Sequence, residues 1–573
     1  MAQTMVQTTA MDGVVPWPAE AAQLYRKAGY WRGEPIGDYF DRSVAQNAER
    51  LAIVDGARRV SYRELGLMVE RLALGFAARG VASGRRVIFQ LPNSLECAAA
   101  YFACLKIGAI PVATLPAHRH TEIGHLARFT DAYAWLIPAE YRRFNYVEMA
   151  AELRQTLPDM REVFVTGASG SEGFTSLDDL LRDPIEQSAR TRTLTGVRPR
   201  SDDVAVFQLS GGSTGLPKVI PRTHDDYLYN SLRLAECSGF ERDGVALVAI
   251  PMMHNFPLLA AVQAGILRGA RIVLASSPDA EVVLPLIEGE RVTWICAVPA
   301  MAMSWLNHPR FKQTDFSSLR SLAVGGQRLN PEPARRILRE IGPVVTQVYG
   351  MAEGLCCSTR RGDAEEAVVS TQGRPICEHD ELRIVGDDDR EVAPGEIGEL
   401  LCRGPYTPRG YYRAAEHNRI AFTPDGFYRT GDLVRMHPSG NVIVEGRRKD
   451  VINRGGEKIS AEEVEDLVLS HPAVLNASVV AMPDAILGER ACAYVVLRPG
   501  AHLTFAELTR HLEERRIARF KIPERLEIVE RFPMTAVGKI SKKDLRADIA
   551  ARLKCESSAP VTEAGGARPR RAP

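Results

Sequence analysis

The sequence predicts an α/β protein: a large N-terminal α/β domain of packed sheets with helices plus a β-rich subdomain, then a small C-terminal α+β domain. Three observations carry this. Short apolar runs alternate with longer segments of helical periodicity, as in mainly buried sheets covered by helices. At 573 residues the chain exceeds what one hydrophobic core usually supports. Finally, the charged run Gly446-Arg447-Arg448-Lys449-Asp450 breaks the apolar alternation, and a fresh set of elements follows it. The expected divisions are therefore 1–445, 446–553 and a disordered tail, 554–573, rich in Pro, Gly, Ala and Arg.

After a loose lead, residues 36–50 and 62–79 carry helical periodicity around the short apolar run 51–54, and 86–91 looks like a strand. Residues 98–107 form an apolar helix between that strand and the next, 110–114. Further strands are expected at 204–207, 245–250, 270–274, 294–298, 321–324 and 344–349, with a β-rich stretch including 399–402 and 441–445. Beyond the charged break, Ser460-Ala-Glu-Glu463 is a capping-box pattern opening an amphipathic helix. Strands at 477–481 and 493–497, a charged helix at 505–516 and a strand at 526–529 complete the small domain.

Composition excludes several function classes. Lys+Arg 72 against Asp+Glu 71 leaves a net charge of +1, so no bulk field draws the chain to nucleic acid or to an anionic membrane. No run reaches the ~18 apolar residues needed to span a bilayer, and residues 1–16 lack the pattern of a signal peptide. Ten cysteines lie scattered without metal-ligand spacing, and the adjacent pair Cys356-Cys357 is a poor disulfide candidate. They read as reduced thiols of a cytoplasmic protein.

The chemistry is concentrated in five motifs. The first, Leu209-Ser210-Gly211-Gly212-Ser213-Thr214-Gly215-Leu216-Pro217-Lys218, follows a strand and combines glycines, hydroxyls and a lysine. Such a loop can turn several N–H groups onto a phosphate and add a mobile positive charge. It is not an ordinary P-loop, because Leu216-Pro217 separates the last glycine from Lys218. In Tyr349-Gly350-Met351-Ala352-Glu353-Gly354 the carboxylate could help hold Mg²⁺ beside phosphates. In Tyr428-Arg429-Thr430-Gly431-Asp432 the carboxylate could accept from ribose hydroxyls. The fourth runs from Gly446 through Gly455 and Gly456 to Lys458, and the fifth from Pro533 through Lys539 to Lys542. Taken singly, an isolated glutamate or lysine of this kind reads more readily as a solvated turn residue than as a ligand.

Together, in this order, the five motifs resemble those of the adenylate-forming enzymes, which include acyl-CoA synthetases, luciferases and the adenylation domains of nonribosomal peptide synthesis. The resemblance implies ATP and Mg²⁺ as ligands. Residues Ser210 to Gly215 and Lys218 would hold the phosphates and Glu353 the metal. Tyr349, Gly350 and Met351 with Gly325, Gly326 and Gln327 would line the nucleotide pocket, and Asp432 would bind the ribose. It further implies a mobile small domain that pivots at Arg447 and Asp450, brings Lys539 to the acyl carboxylate and α-phosphate, and then presents Gly455 and Gly456 near the incoming thiol.

The segments Pro221-Arg-Thr-His-Asp-Asp-Tyr227, His254-Asn255-Phe256-Pro257-Leu258 and Gly350-Met-Ala-Glu-Gly354 look like those of stand-alone aryl-acid AMP ligases, the salicylate and 2,3-dihydroxybenzoate activators of siderophore assembly. By that resemblance Asn255 bonds an ortho hydroxyl, Phe256 packs on the aryl ring and His254 gates the carboxylate. Ala260 stands where dihydroxybenzoate enzymes carry Ser and salicylate enzymes Cys, and Cys356-Cys357 replaces a Val-Asn or Leu-Asn pair. Without that hydroxyl a 3-hydroxyl loses a partner, which leans the expectation to salicylate or another 2-hydroxyaryl acid. The expected acceptor is phosphopantetheine on an aryl carrier protein. Coenzyme A is the alternative acceptor, and a non-catalytic nucleotide-binding scaffold the reading from another class.

Overall fold

The computed structural model describes residues 11–167, 173–187, 198–210, 217–454, 457–484, 486–515, 517–535 and 539–558. Contacts divide the chain into two compact units. One comprises Met1–Val444 with Ala536–Lys539, the other Glu445–Thr535 with Ile540–Pro573. The division falls inside the strand Val442–Arg447, which continues through Gly446 and Arg447, the first two residues of the expected break; a single 3₁₀ turn, Arg448–Asp450, follows it.

The larger unit holds two large α/β sheets. One has nine strands, with a parallel centre formed by Leu51–Asp55, Val245–Val248, Arg271–Leu274, Trp294–Ala297, Ser321–Gly325 and Val345–Gly350. The other has seven and includes Arg86–Phe89, Ile110–Val112 and Val204–Leu209. A continuous core joins their facing surfaces, taking Ile53, Val248, Ile272 and Trp294 from the first and Val87, Phe89, Leu136 and Ala205 from the second. The helix Leu95–Ile107 is buried along nearly its whole length in this core, which explains its apolar sequence on all sides. It starts three residues before its expected start, because the Ser94 hydroxyl caps Cys97 N–H, and stops at Gly108, whose φ of 72° turns the chain out of the helix. A third, four-stranded sheet runs from Glu381–Val385 to Val442–Arg447, the expected β-rich subdomain.

In the smaller unit the strands Val474–Asp484 and Gly488–Leu497 form a long antiparallel pair, with Ile452–Arg454 and Arg525–Ile528 beside it. The capping box expected at Ser460 is only half formed. Ser460 Oγ accepts from Glu463 N–H, but the Glu463 carboxylate turns instead to Lys521 Nζ, 2.7 Å from both oxygens. The last helix, Lys542–Ser558, passes the expected domain end at 553; residues 559–573 lie outside the described residues. Among the described residues no helix is long and apolar enough to cross a membrane.

Candidate active site

The strand Val204–Leu209 pairs antiparallel with Val219–Thr223, so the expected phosphate loop is the connection of a hairpin. Its base is closed twice: Ser210 N–H donates to the Lys218 carbonyl at 2.9 Å, and Lys218 N–H to Ser210 Oγ at 3.0 Å. Gly211, Gly212, Ser213, Thr214 and Gly215 lie outside the described residues. Lys218 Nζ stands 5.5 Å from the centre of the Tyr411 ring, within cation–π range.

Tyr411 leads from this lysine to the second motif. Its hydroxyl donates to Glu353 Oε1 at 2.8 Å and lies 3.0 Å from the Tyr428 hydroxyl. Burial, with the Glu353 charge second, pushes the Tyr411 phenol well above its ordinary pKa, so it stays a donor. Tyr428 opens the strand that carries Asp432, and the Tyr349 hydroxyl donates to Asp432 Oδ2 at 2.7 Å. Burial and then Asp432 raise the Tyr349 phenol likewise. Glu353 and Asp432, both buried, are thus each held by a tyrosine, and Lys218, Glu353 and Tyr428 meet around one ring.

The loop bearing Glu353 is fixed from beneath. Arg222, wholly buried, pairs with Asp226 at 2.7 Å and donates to the Ala352 carbonyl at 3.0 Å and to Asn230 Oδ1 at 3.1 Å. Asp226 also accepts from Thr223 N–H and Oγ1, the capping box of the helix His224–Cys237. Gly354 has a φ of 128°, and a Cβ there would lie 2.5 Å from Thr407 Cα, so the turn after Glu353 admits only glycine. Sequence reasoning passed over Arg222 and Tyr411 as functional residues. The first left a trace, an arginine four residues before an aspartate at a strand-to-helix junction; the second left none, since its partners come from three distant segments.

The expected aryl-acid residues form a second group. His254 precedes the helical turn Asn255–Pro257, which runs into a π-helical stretch, Leu258–Gln263, with Ala260 wholly buried. The His254 Nδ1 is buried without a partner, and burial, with Lys539 second, holds its pKa down to about 3. Asn255 Oδ1 accepts from the Tyr227 hydroxyl at 3.1 Å. The Phe256 ring packs so closely on Gly325 that a Cβ there would lie 3.2 Å from Cε1. Cys356 is buried, accepts from Asn230 Nδ2 at 3.6 Å, and has its thiol pushed up to about 12 by burial.

Lys539 groups by contact with the larger unit. A Cβ on Gly326, itself at a φ of 83°, would lie 3.2 Å from Lys539 Cε and 3.6 Å from Nζ. Gly350 ends the strand Val345–Gly350 just before Met351, while Gln327 is exposed. In the smaller unit Arg447 is exposed at the end of its strand, and Asp450 accepts from Arg546 at 2.8 Å. Gly455 and Gly456 lie outside the described residues.

Among the described residues no cluster of three or more His, Cys, Asp or Glu could cage a metal. A lone buried carboxylate fits Mg²⁺ in one way, since that ion commonly takes one or two carboxylates and completes its shell with phosphate oxygens and water.

Comparison with known proteins places the chain in a family. The profile of the AMP-binding enzymes matches residues 40–412, and that of the AMP-binding enzyme C-terminal domain residues 463–539. The chain is 47% identical over 544 residues to a 2,3-dihydroxybenzoate-AMP ligase of Bacillus subtilis (strain 168), covering 95% of this chain and 99% of that protein. It is 43% identical over 539 residues to a salicyl-AMP ligase / salicyl-S-ArCP synthetase of Mycobacterium tuberculosis (strain ATCC 25618 / H37Rv), covering 93% and 94%. The crystal structure of the anthranilate CoA ligase AuaEII in complex with anthranoyl-AMP superposes with a TM-score of 0.82 at 25% identity, covering 91% of this chain and 98% of that one.

Proposed function

The chain belongs to the AMP-binding enzymes, and on that premise we propose that it activates an aryl carboxylic acid of the salicylate or 2,3-dihydroxybenzoate type and transfers it to a thiol. The carboxylate oxygen attacks the α-phosphorus of ATP, the bond to the β-phosphate oxygen breaks, and pyrophosphate leaves. The phosphopantetheine sulfur of an aryl carrier protein then attacks the acyl carbon and AMP leaves. The pathway would be siderophore or related nonribosomal peptide synthesis. Among the described residues the cysteines are free and buried, which suits a cytoplasmic enzyme.

The observation that carries this reading is the meeting of Lys218, Glu353 and Tyr428 around Tyr411, with Asp432 held by Tyr349 nearby in sequence to Tyr428. A phosphate-loop lysine and a metal-type carboxylate thereby share one tyrosine, and a ribose-type carboxylate lies on the strand that Tyr428 opens. Glu353 would hold Mg²⁺, which supplies charge neutralisation for the departing pyrophosphate. The neutral His254 imidazole beside Lys539 leaves that ammonium as the positive charge facing the carboxylate and α-phosphate. No enzyme nucleophile takes part, so catalysis is positioning and charge stabilisation.

Aryl-acid-dependent exchange of labelled pyrophosphate into ATP tests the first step. Lys539→Ala is expected to lower it by about 10²-fold or more, the usual cost of removing one group that stabilises transition-state charge; full exchange by that variant would remove Lys539 from the reaction. Incubation with a holo aryl carrier protein and, separately, with coenzyme A tests the second. Preferential acylation of the carrier is expected, and equal or better acylation of coenzyme A would make the protein an aryl-CoA ligase.

A further inference from the structure

Gln208, Tyr227 and Asn255, far apart in the chain, are joined in one hydrogen-bond relay. Gln208 is buried on the strand Val204–Leu209, and its Nε2 donates to the Tyr227 hydroxyl at 3.0 Å. Tyr227, wholly buried on the helix His224–Cys237, donates to Asn255 Oδ1 at 3.1 Å. A phenol carries one hydrogen. Since its oxygen accepts from Gln208, that hydrogen goes to Asn255, which therefore has its Oδ1 engaged and its Nδ2 hydrogens to offer. Tyr227 is braced as well at its backbone: Gln263 Nε2 donates to its carbonyl at 3.4 Å, and Gln263 Oε1 accepts from the Tyr101 hydroxyl at 2.6 Å. Within the relay Gln208 thus sets the polarity of Tyr227, and Tyr227 that of Asn255.

We infer that Gln208 and Tyr227 are positioning residues that lock the Asn255 amide with its donor toward the aryl acid, so that the enzyme admits 2-hydroxy acids and excludes 2-amino acids. The inference rests on the proposed placing of Asn255 at the 2-position of the substrate. In a 2-hydroxy acid the single hydroxyl hydrogen turns to the neighbouring carboxylate, which leaves oxygen lone pairs facing Asn255 Nδ2. A 2-amino acid spends one hydrogen the same way but points its second at Nδ2, donor against donor, while its lone pair is drawn into the ring. Turning the amide over would relieve that clash only by setting Nδ2 against the Tyr227 hydroxyl hydrogen. Shape cannot make this distinction, because hydroxyl and amino groups are nearly the same size.

Pyrophosphate exchange by the full-length protein, with salicylate and anthranilate as paired substrates, tests it. The wild type is expected to favour salicylate in kcat/KM. In Tyr227→Phe the amide is free to turn, and the salicylate-to-anthranilate ratio is expected to narrow by about tenfold to a hundredfold, the range for one buried hydrogen-bond mismatch. Most of the change should appear in KM. Gln208→Leu, which frees the Tyr227 hydroxyl to rotate, should narrow the ratio in the same direction, and Asn255→Asp, whose carboxylate only accepts, should shift it toward anthranilate. An unchanged ratio in whichever of Tyr227→Phe and Gln208→Leu folds, or equal use of both acids by the wild type, would overturn the inference. Exchange with neither acid, nor with 2,3-dihydroxybenzoate, would overturn the proposed aryl-acid activity and this inference with it.

Discussion

Tyr411 gives its hydroxyl hydrogen to Glu353 while its ring faces Lys218, so one side chain contacts groups of opposite charge that the proposed reaction needs separately. Tyr411→Phe keeps the ring and removes only the donor. Hydrogen bonds to charged groups contribute about 1.5–3 kcal/mol, so Glu353 should lose its fixed orientation at a cost of roughly tenfold to a hundredfold in kcat/KM for Mg·ATP. Calorimetric binding of the nucleotide with and without Mg²⁺ checks this: the variant should lose most of the metal's contribution to affinity, and an unchanged contribution would detach Tyr411 from the metal site. A second residue sets a pH dependence of stability. His224 is wholly buried, accepts from Ile36 N–H on Nδ1 at 3.2 Å, and burial holds its pKa down to about 3. Below its ordinary value near 6.5 the unfolded chain binds a proton that the folded chain refuses. Stability is therefore fully present above about pH 6.5 and drains between 6.5 and about 3, at up to about 1.4 kcal/mol per pH unit for this group. Denaturation curves at pH 7 and pH 5 should separate less for His224→Gln than for the wild type.

The strand Val219–Thr223 and the helix His224–Cys237 are bound into one support by Arg222, and that support carries the Glu353 loop through the Ala352 carbonyl. Arg222→Met would strand Asp226, a buried carboxylate whose pKa burial already pushes up, without its cation. Breaking a buried pair from one side costs about 3–5 kcal/mol, and chemical denaturation should show a loss of that size. A loss below 1 kcal/mol, the level of exposed pairs, would mean that the pair supports nothing. Elements of this kind were legible in proportion to how local their signal is. The strands Trp294–Ala297 and Ser321–Gly325 announce themselves as apolar runs, because burial on both faces leaves them no polar side. The π-helical stretch Leu258–Gln263 does not, since the five residues before Gln263 are all apolar and carry no period to read. Ser460 was visible as a cap, yet its carboxylate partner was claimed by Lys521, 58 residues on. Lys218, Glu353 and Tyr428 all stand in motifs, but Tyr411, the ring they share, is fixed by tertiary contacts with no sequence spacing to betray it.

At the scale of the molecule, the sheet that precedes the charged run at 446–450 continues to Arg447. What the sequence could not show is how completely the smaller unit supplies its own core. In its long strand pair Val479 lies opposite Ala493, and both face a cluster with Val464, Val468, Leu508 and Leu512 from two helices. The next pair, Val480 opposite Cys492, faces the other way, into a cluster with Tyr494, Leu545 and Ile549 that places the last helix on the opposite face. The sheet is thus covered on both sides by its own helices, which is why residues 477–481 and 493–497 read as apolar runs with no clean alternation. A sheet buried on both faces within its own unit, in a domain of ordinary size, should not need the larger unit to fold. Residues 445–573 expressed alone are therefore expected to melt cooperatively, with heat absorption and loss of circular dichroism at the same temperature. The double variant Val479→Ala/Val480→Ala, which opens both clusters at once, should lower that midpoint more than either single change. A gradual, non-cooperative melt of the isolated fragment would show that the smaller unit depends on the larger for its fold as well as for the reaction.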